Sequence, residues 1–313
     1  MAQIKSWLTN EVLFEYDGTI KEAVEEAVRQ GINLERAYLK YADLSGADLR
    51  YAILRGANLK DANLYNAYIR YADLNGAQLS NVNLRYADLY GANLKDAYLR
   101  EAYLTGASLK YAILEGANLS NADLKGANLE RAFLYNADLK GANLERAYLI
   151  KADLRDADLS GANLHSAFLR DAYLNGAYLK DVNLINANFK GAIGIPDDLM
   201  PLACPSEGSF IAWKKVYETD FDNGDKLVKL KIPADAKRSS ATTKKCRCSK
   251  AKVLAITNLG ETETYDEVIN CNYAPLTYKV GEMVYPDSFD ENRWNECSHG
   301  IHFFMDKKDA IKW

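Results

Sequence analysis

The sequence predicts an all-β solenoid followed by a small α+β domain. Two regularities carry the solenoid. Every fifth residue from Leu34 to Phe189 is Leu, Ile or Phe through 32 consecutive pentads, with Leu in 30 of them and Ile69 and Phe189 in the other two. Two residues before this position stands Ala in 29 of the 32, the exceptions being Ile32, Val82 and Val182. A period of five fits neither the 3.6 of a helix nor the 2 of a flat strand. The chain must turn a corner every five residues, and self-similarity at a fixed period marks a solenoid. The third observation is where the pattern stops. The 119 residues after Gly194 carry no repeat and have the length of a separate small domain.

Residues 1–31 are expected to cap the solenoid. Glu11–Tyr16 (EVLFEY) reads as a strand and Asp17-Gly18 as a turn. Thr19, three residues before Glu22, sets up a capping box for a helix through IKEAVEEAVRQ. Ile20, Ala23, Val24, Ala27 and Val28 share one face, and Gly31 ends the helix. A solenoid end exposes apolar core and unpaired backbone, which such a cap covers. The same helix could instead hold a partner.

Residues 32–193 form the repeat. Leu and Ala point inward, and Ala is small enough to let the chain bend beside a bulky Leu. Asn, Asp and Gly around them are turn residues. Gly recurs as the last pentad residue, as at Gly46, Gly56, Gly76, Gly91 and Gly106, where a positive φ is expected.

These pentads, GINLE RAYLK YADLS GADLR YAILR GANLK and onward, resemble the pentapeptide repeat family, whose motif is A-(D/N)-L-x-x. The resemblance implies a right-handed quadrilateral β-helix with one pentad per face. Thirty-two pentads would then wind about 8 coils, a shaft about 38 Å long at the spacing of paired strands. Some relatives bind DNA gyrase by imitating duplex DNA in shape and charge. A regulator of a type II topoisomerase is therefore one functional alternative. The charge argues against it. Residues 33–194 hold 19 Lys and Arg against 18 Asp and Glu, a net of +1, whereas a duplex carries one negative charge per about 1.7 Å. A neutral shaft is not a nucleic-acid binder either, since such a surface is basic. No loop interrupts the repeats.

Residues 194–209 are rich in Pro and turn residues and read as a linker or cap. Residues 210–313 read as a small α+β domain. Its expected strands are Phe210–Tyr217, Lys226–Ile232, Cys246–Thr257, Leu276–Val280 and Ile301–Met305, with a helix over Lys307–Trp313. The stretches RSSATTKKCRCSKAKV, YKVGE and FDENRWNECSHGIHFF resemble an uncharacterised module attached to pentapeptide shafts in phages and gut bacteria.

Candidate chemistry is sparse. Cys246, Cys248, Cys297, His299 and His302 could together supply zinc ligands, although strand Cys residues two apart are also ordinary core. Gly300-Ile301-His302-Phe303-Phe304 resembles the G-I-Y-F strand of poly-ADP-ribose-polymerase-like transferases, which implies an NAD-using alternative. The upstream His-Gly of those enzymes is missing, and none of the nine residues after Phe304 is the Glu that they use. No catalytic triad, P-loop or GxGxxG occurs, so a non-enzymatic protein without a cofactor is expected.

One patch on the shaft stands out. Residues 20 apart are expected to stack. The column Ile53, Asp73, Asn93, Ile113, Phe133, Asp153, Tyr173 departs three times from polar residues to Ile or Phe. With Tyr51, Tyr71 and Tyr111 beside them, Ile53, Ile113 and Phe133 would form an exposed apolar strip. Such strips mark protein contacts; ring stacking along the rod is the structural alternative. The expected partner is a protein, a second copy of the chain included. No apolar run reaches the length of a membrane span, and the N-terminus lacks a signal peptide. Five Cys, all outside the repeats, fit a reducing cytoplasm.

Overall fold

The computed structural model describes residues 1–196, 199, 203–217, 224–240, 242–270, 275–294 and 299–313. The chain divides into two compact units, Met1–Pro196 and Asp197–Trp313.

The first unit opens with a hairpin of β1 (Ala2–Lys5) and β2 (Val12–Tyr16), antiparallel, followed by α1 (Ile20–Arg29). The expected capping box is present. The Glu22 N–H donates to Thr19 Oγ1 at 3.2 Å, and the Thr19 N–H donates to Glu22 Oε2 at 2.8 Å. Ala23, Val24 and Ala27 are its buried face. β1 carried no strand signal in the sequence. Its role is clear from its bonds: the Tyr38 N–H donates to Lys5 O (2.7 Å) and the Trp7 indole to Gly56 O (2.9 Å). The Lys21 ammonium donates to Ser45 O (2.7 Å). The cap thus satisfies backbone groups that the first winding would leave open.

Each pentad accounts for its own backbone. In Tyr111–Glu115, the Tyr111 N–H reaches Glu130 O, Ile113 reaches Ala92 O and Leu114 reaches Phe133 O, at 3.1, 2.9 and 2.7 Å. These bonds join the winding to its two neighbours. The Ala112 N–H closes the corner on Leu109 O at 3.0 Å. Where Asn or Asp precedes the Leu, its side chain serves the fifth N–H, on the residue after Leu. Lys95 donates to Asn93 Oδ1 and Glu145 to Asn143 Oδ1, each at 3.2 Å. That is why Asn and Asp recur at that position: their short side chains bond the backbone two residues on. The same residues also ladder between windings. Asn83 Nδ2 donates to Asn63 Oδ1 and Asn143 to Asp123, both at 2.9 Å.

Parallel bridges link residues 20 apart from Tyr38–Asn58 to Tyr173–Ile193. Leu and Ala of the pentads are buried almost throughout. One residue per pentad, every fifth position from Arg36 to Gly191, has a left-handed backbone; only 11 of these 32 are Gly. The others hold a Cβ in that region at roughly 1–2 kcal/mol each, a strain that the surrounding ladders outweigh.

The second unit is a sheet with one short helix. Its strands are β3 (Phe210–Val216), β4 (Lys226–Ile232), β5 (Arg238–Ser240), β6 (Lys245–Cys248), β7 (Ala251–Asn258) and β8 (Thr264–Tyr265). Then come β9 (Glu267–Asn270), β10 (Leu276–Lys279), β11 (Met283–Val284), β12 (Ile301–Phe304) and α2 (Lys307–Lys312). The main sheet runs β11-β7-β4-β3-β12-β6-β5, with β8 on β7; β9 and β10 form a separate hairpin. The expected single strand Cys246–Thr257 is two strands. A turn at Ser249 and Lys250 breaks it, where the Ser249 N–H meets Lys237 O (3.0 Å) and its hydroxyl accepts from the Lys237 N–H (2.9 Å). β6 and β7 then pair on opposite sides of the sheet. One face packs Val228, Leu230, Val253, Tyr278, Ile301 and Phe303. The other packs Leu227, Phe304 and Ala310, with Trp213 and Ile311 against them.

Candidate functional site

The column read from the sequence is a physical line. Ile53, Asp73, Asn93, Ile113, Phe133, Asp153 and Tyr173 follow one another as consecutive parallel bridges. Ile53, Ile113 and Phe133 are 39%, 37% and 49% exposed. None of the three can accept the N–H of Arg55, Glu115 or Tyr135, as Asp73, Asn93 and Asp153 accept the corresponding one at 3.2, 3.2 and 3.3 Å. The chain therefore gives up a local bond at each position to hold apolar surface.

Ile113 and Phe133 floor a groove of about 390 Å³, with Glu115, Tyr135, Asp153 and Arg155 around it. The rim is held in place. Arg155 Nε donates to Asp153 Oδ1 at 2.8 Å and Nη2 to Oδ2 at 2.6 Å, which keeps the Asp153 carboxyl below its usual range. Lys95 pairs with Glu115 at 3.0 Å. The result is an apolar floor between fixed charges of both signs.

The tyrosines of the strip are arranged otherwise than a simple exposed patch. Tyr51 stacks on Tyr71 at 5.4 Å and 12°; Tyr71 meets Tyr90 edge-on at 5.5 Å, and Tyr90 meets Tyr111 at 5.5 Å. Arg131 Nη1 donates to the Tyr111 hydroxyl at 2.6 Å and ends the ladder. Gly91 makes room for it, since a Cβ there would lie 2.7 Å from the Tyr71 ring. A spacing of 20 does not reach Tyr90. Its separations from Tyr71 and Tyr111 are 19 and 21, the offsets of the backbone bonds between windings, and that signal was available.

In the second unit, the four described Cys and His candidates, Cys246, Cys248, His299 and His302, are not gathered. Cys246 and Cys248 are fully buried opposite Phe303 and Ile301, while His302 pairs with Arg247 and so faces the other side of the sheet. The Cys246 thiol is pushed up because it donates a hydrogen bond to Cys204 and because it is buried, and burial pushes the Cys248 thiol up to about 12. Both behave as core rather than as ready thiolates. His299 is exposed, and Cys297 lies outside the described residues. Among the described residues, no group of three His, Cys, Asp or Glu is placed to hold a metal.

His299 and His302 instead line a cavity of about 570 Å³. It opens where the sheet divides. β3 and β12 pair only at Trp213 and Phe304. Beyond that pair, Lys214 and Lys215 on one strand and His302 and Gly300 on the other line the space. None of the motifs read from the sequence pointed to this cavity.

A corner at every fifth residue and parallel bridges at every twentieth define a β-helix solenoid. The chain belongs to the pentapeptide repeat family. The profile of Pentapeptide repeats (8 copies) matches residues 30–64, 62–100, 97–134, 117–156, 127–165 and 157–193. Residues 200–310 match a Family of unknown function (DUF5758), which fits the uncharacterised module expected there. Among solved structures, the chain is similar to HetL, a pentapeptide repeat protein involved in heterocyst differentiation regulation from the cyanobacterium Nostoc sp. strain PCC 7120. Identity is 41% over 53% of this chain and 79% of that one, with a TM-score of 0.29. It is also similar to Rfr23, a pentapeptide repeat protein from the cyanobacterium Cyanothece 51142, at 31% identity over 38% of this chain and 64% of that one, with a TM-score of 0.24. QnrB1, a plasmid-mediated fluoroquinolone resistance protein, is 21% identical over 50% of this chain and 75% of that one, with a TM-score of 0.35. No curated protein matches the chain. Among the described residues, no helix is long and apolar enough to cross a membrane.

Proposed function

We propose that the chain is a non-enzymatic scaffold that docks a protein partner on the shaft, at the groove of Ile113 and Phe133. The shaft is a right-handed winding of about eight coils over residues 32–193, capped by residues 1–31. Residues 194–209 link it to the module of residues 210–313. The observation that carries the docking surface is the pair of adjacent apolar residues in a column where Asp73, Asn93 and Asp153 serve the backbone. An apolar floor with a polar, charged rim is the usual anatomy of a protein interface. The neighbouring tyrosine ladder stiffens that side of the shaft and presents ring edges beside the groove.

Charge supports a protein partner over imitation of duplex DNA. Lys95–Glu115, Lys110–Glu130 and Lys125–Glu145 pair across adjacent windings at 3.0, 2.9 and 3.0 Å. Such pairing consumes the carboxylates that a duplex-like surface would display. The test is capture from a cell lysate by the full chain and by the Ile113→Asn, Phe133→Asn variant, read by quantitative mass spectrometry. A protein enriched by the wild-type chain and lost with the variant supports the reading. Equal capture by both places the interface elsewhere.

A further inference from the structure

We propose that the cavity between β3 and β12 binds a small organic phosphate with a flat ring. The inference is independent of the docking groove on the shaft.

The cavity has the size and character of a ligand site. Its volume of about 570 Å³ lies in the range that small ligands occupy. Apolar and aromatic groups make up much of its wall: Leu276, Tyr278, Phe304 and Trp313, with Tyr217 at one side. Three Lys and two His reach it, against one carboxylate, Asp287. The balance calls for an anion.

Two of the polar groups lack a use within the fold. Tyr278 is fully buried, and its hydroxyl has no hydrogen-bond partner among the described residues. An unsatisfied buried hydroxyl is a standing cost unless something arrives to bond it. Lys214 stands on the core side of β3 between Ala212 and Val216, both fully buried. Among the described residues it forms no ion pair; its ammonium lies 6.0 Å from the Tyr278 ring. Burial, and then the charge of Lys245, push its pKa down to about 8. An anion in the cavity would reverse both effects.

The other two lysines have partners within the fold. Lys215 is tied to Ile311 O at 3.1 Å and to Asp225 at 3.8 Å. Lys245 lies 4.7 Å over the Trp313 ring. Lys214 and Lys245 line the same cavity, and the charge of Lys245 is felt at Lys214, so the two can act on one dianionic head group as point charges, the way Lys binds phosphate. Tyr278 can donate its hydroxyl proton to a phosphate oxygen. The rings of Trp313 and Phe304, 5.7 Å apart, offer faces and edges to a flat substituent. Carboxylates would use one cation; the convergence of two with a hydroxyl donor favours phosphate.

The test uses the full chain and two probes, phenyl phosphate and AMP, followed by isothermal titration calorimetry, with inorganic phosphate and adenosine as the separate halves. Binding of at least one probe with Kd below about 1 mM, tighter than either half, is expected. Lys214→Met keeps the length of the side chain and removes the charge. It should fold at least as stably and weaken binding by about tenfold or more. Tyr278→Phe keeps the ring and removes only the idle hydroxyl, so it gives a second variant that folds; it should weaken binding several-fold. Absence of binding by both probes overturns the proposal. So does binding that neither substitution changes.

Discussion

Replacing Ile113 and Phe133 together by Asn separates a binding surface from a structural one. Both residues already expose a third or more of their surface. Full burial of such a side chain is worth about 1.5–3 kcal/mol, so the part at stake here is about 1 kcal/mol for each residue. Asn returns something in exchange. Its Oδ1 can accept the N–H of Glu115 or Tyr135, as Asn93 does for Lys95 at 3.2 Å. Its Nδ2 can join the column as Asn93 does with Asp73 at 3.0 Å. Each such bond contributes about 0.5–1.5 kcal/mol. The two sides nearly cancel, and the double variant should unfold within about 1 kcal/mol of the wild type. Leu114→Ala, one residue along, gives the contrast. Leu114 is fully buried between windings, and its truncation should cost about 2–5 kcal/mol through the cavity left behind. Urea denaturation followed by circular dichroism measures both.

Capture of the partner should behave in the opposite order. Two interface anchors at about 2 kcal/mol or more apiece make the Asn variant lose the complex, whereas Leu114→Ala should retain it wherever the shaft still folds. If the double Asn variant loses as much stability as Leu114→Ala, the strip is structural and the docking argument fails.

Three further outcomes follow from the geometry. Gly91→Val should destabilise by about 1–3 kcal/mol, because its Cβ would meet the Tyr71 ring at 2.7 Å on a backbone with φ +64°; Gly76→Asn, with nothing within 4 Å, should change thermal melting little. Thr19→Ala should cost about 1 kcal/mol by removing half of the capping box, read by urea denaturation. The Lys214 pKa falls from 10.5 to about 8 on folding, so the unfolded state binds more protons. The penalty is complete below pH 8 and relieved as pH rises from 8 towards 10.5. It is at most about 3 kcal/mol, and less because Lys214 keeps some contact with solvent. Lys214→Met should therefore gain stability at pH 7, with an advantage that shrinks by pH 10; an advantage that does not change with pH would refute the assignment.

How much of this was written in the sequence follows from how local each signal is. In the shaft, position in the pentad is position in space. Leu114 needs no long-range information to find Leu94 and Leu134, and Ile113 is aligned with Phe133 by count alone. Thr19 and Glu22 declare their helix three residues apart. The second unit offers no such arithmetic. The break at Ser249 and Lys250 lies between two apolar runs that read as one, and the pairing of β12 with both β3 and β6 joins residues far apart in sequence. The division of the sheet that opens the cavity is a property of three strands together. One local sign was nevertheless present. In Phe210–Val216, Ala212, Lys214 and Val216 share a face, and the two flanking members are fully buried. A lysine in a core register conflicts with the pattern around it. Sequences that fold uniquely hold few such conflicts, and those that remain cluster where something other than stability is being served. An aliphatic residue at 214 would suit the sheet better and would leave the hydroxyl of Tyr278 equally idle. The two misfits fall on the same cavity wall, and one anionic ligand would resolve both.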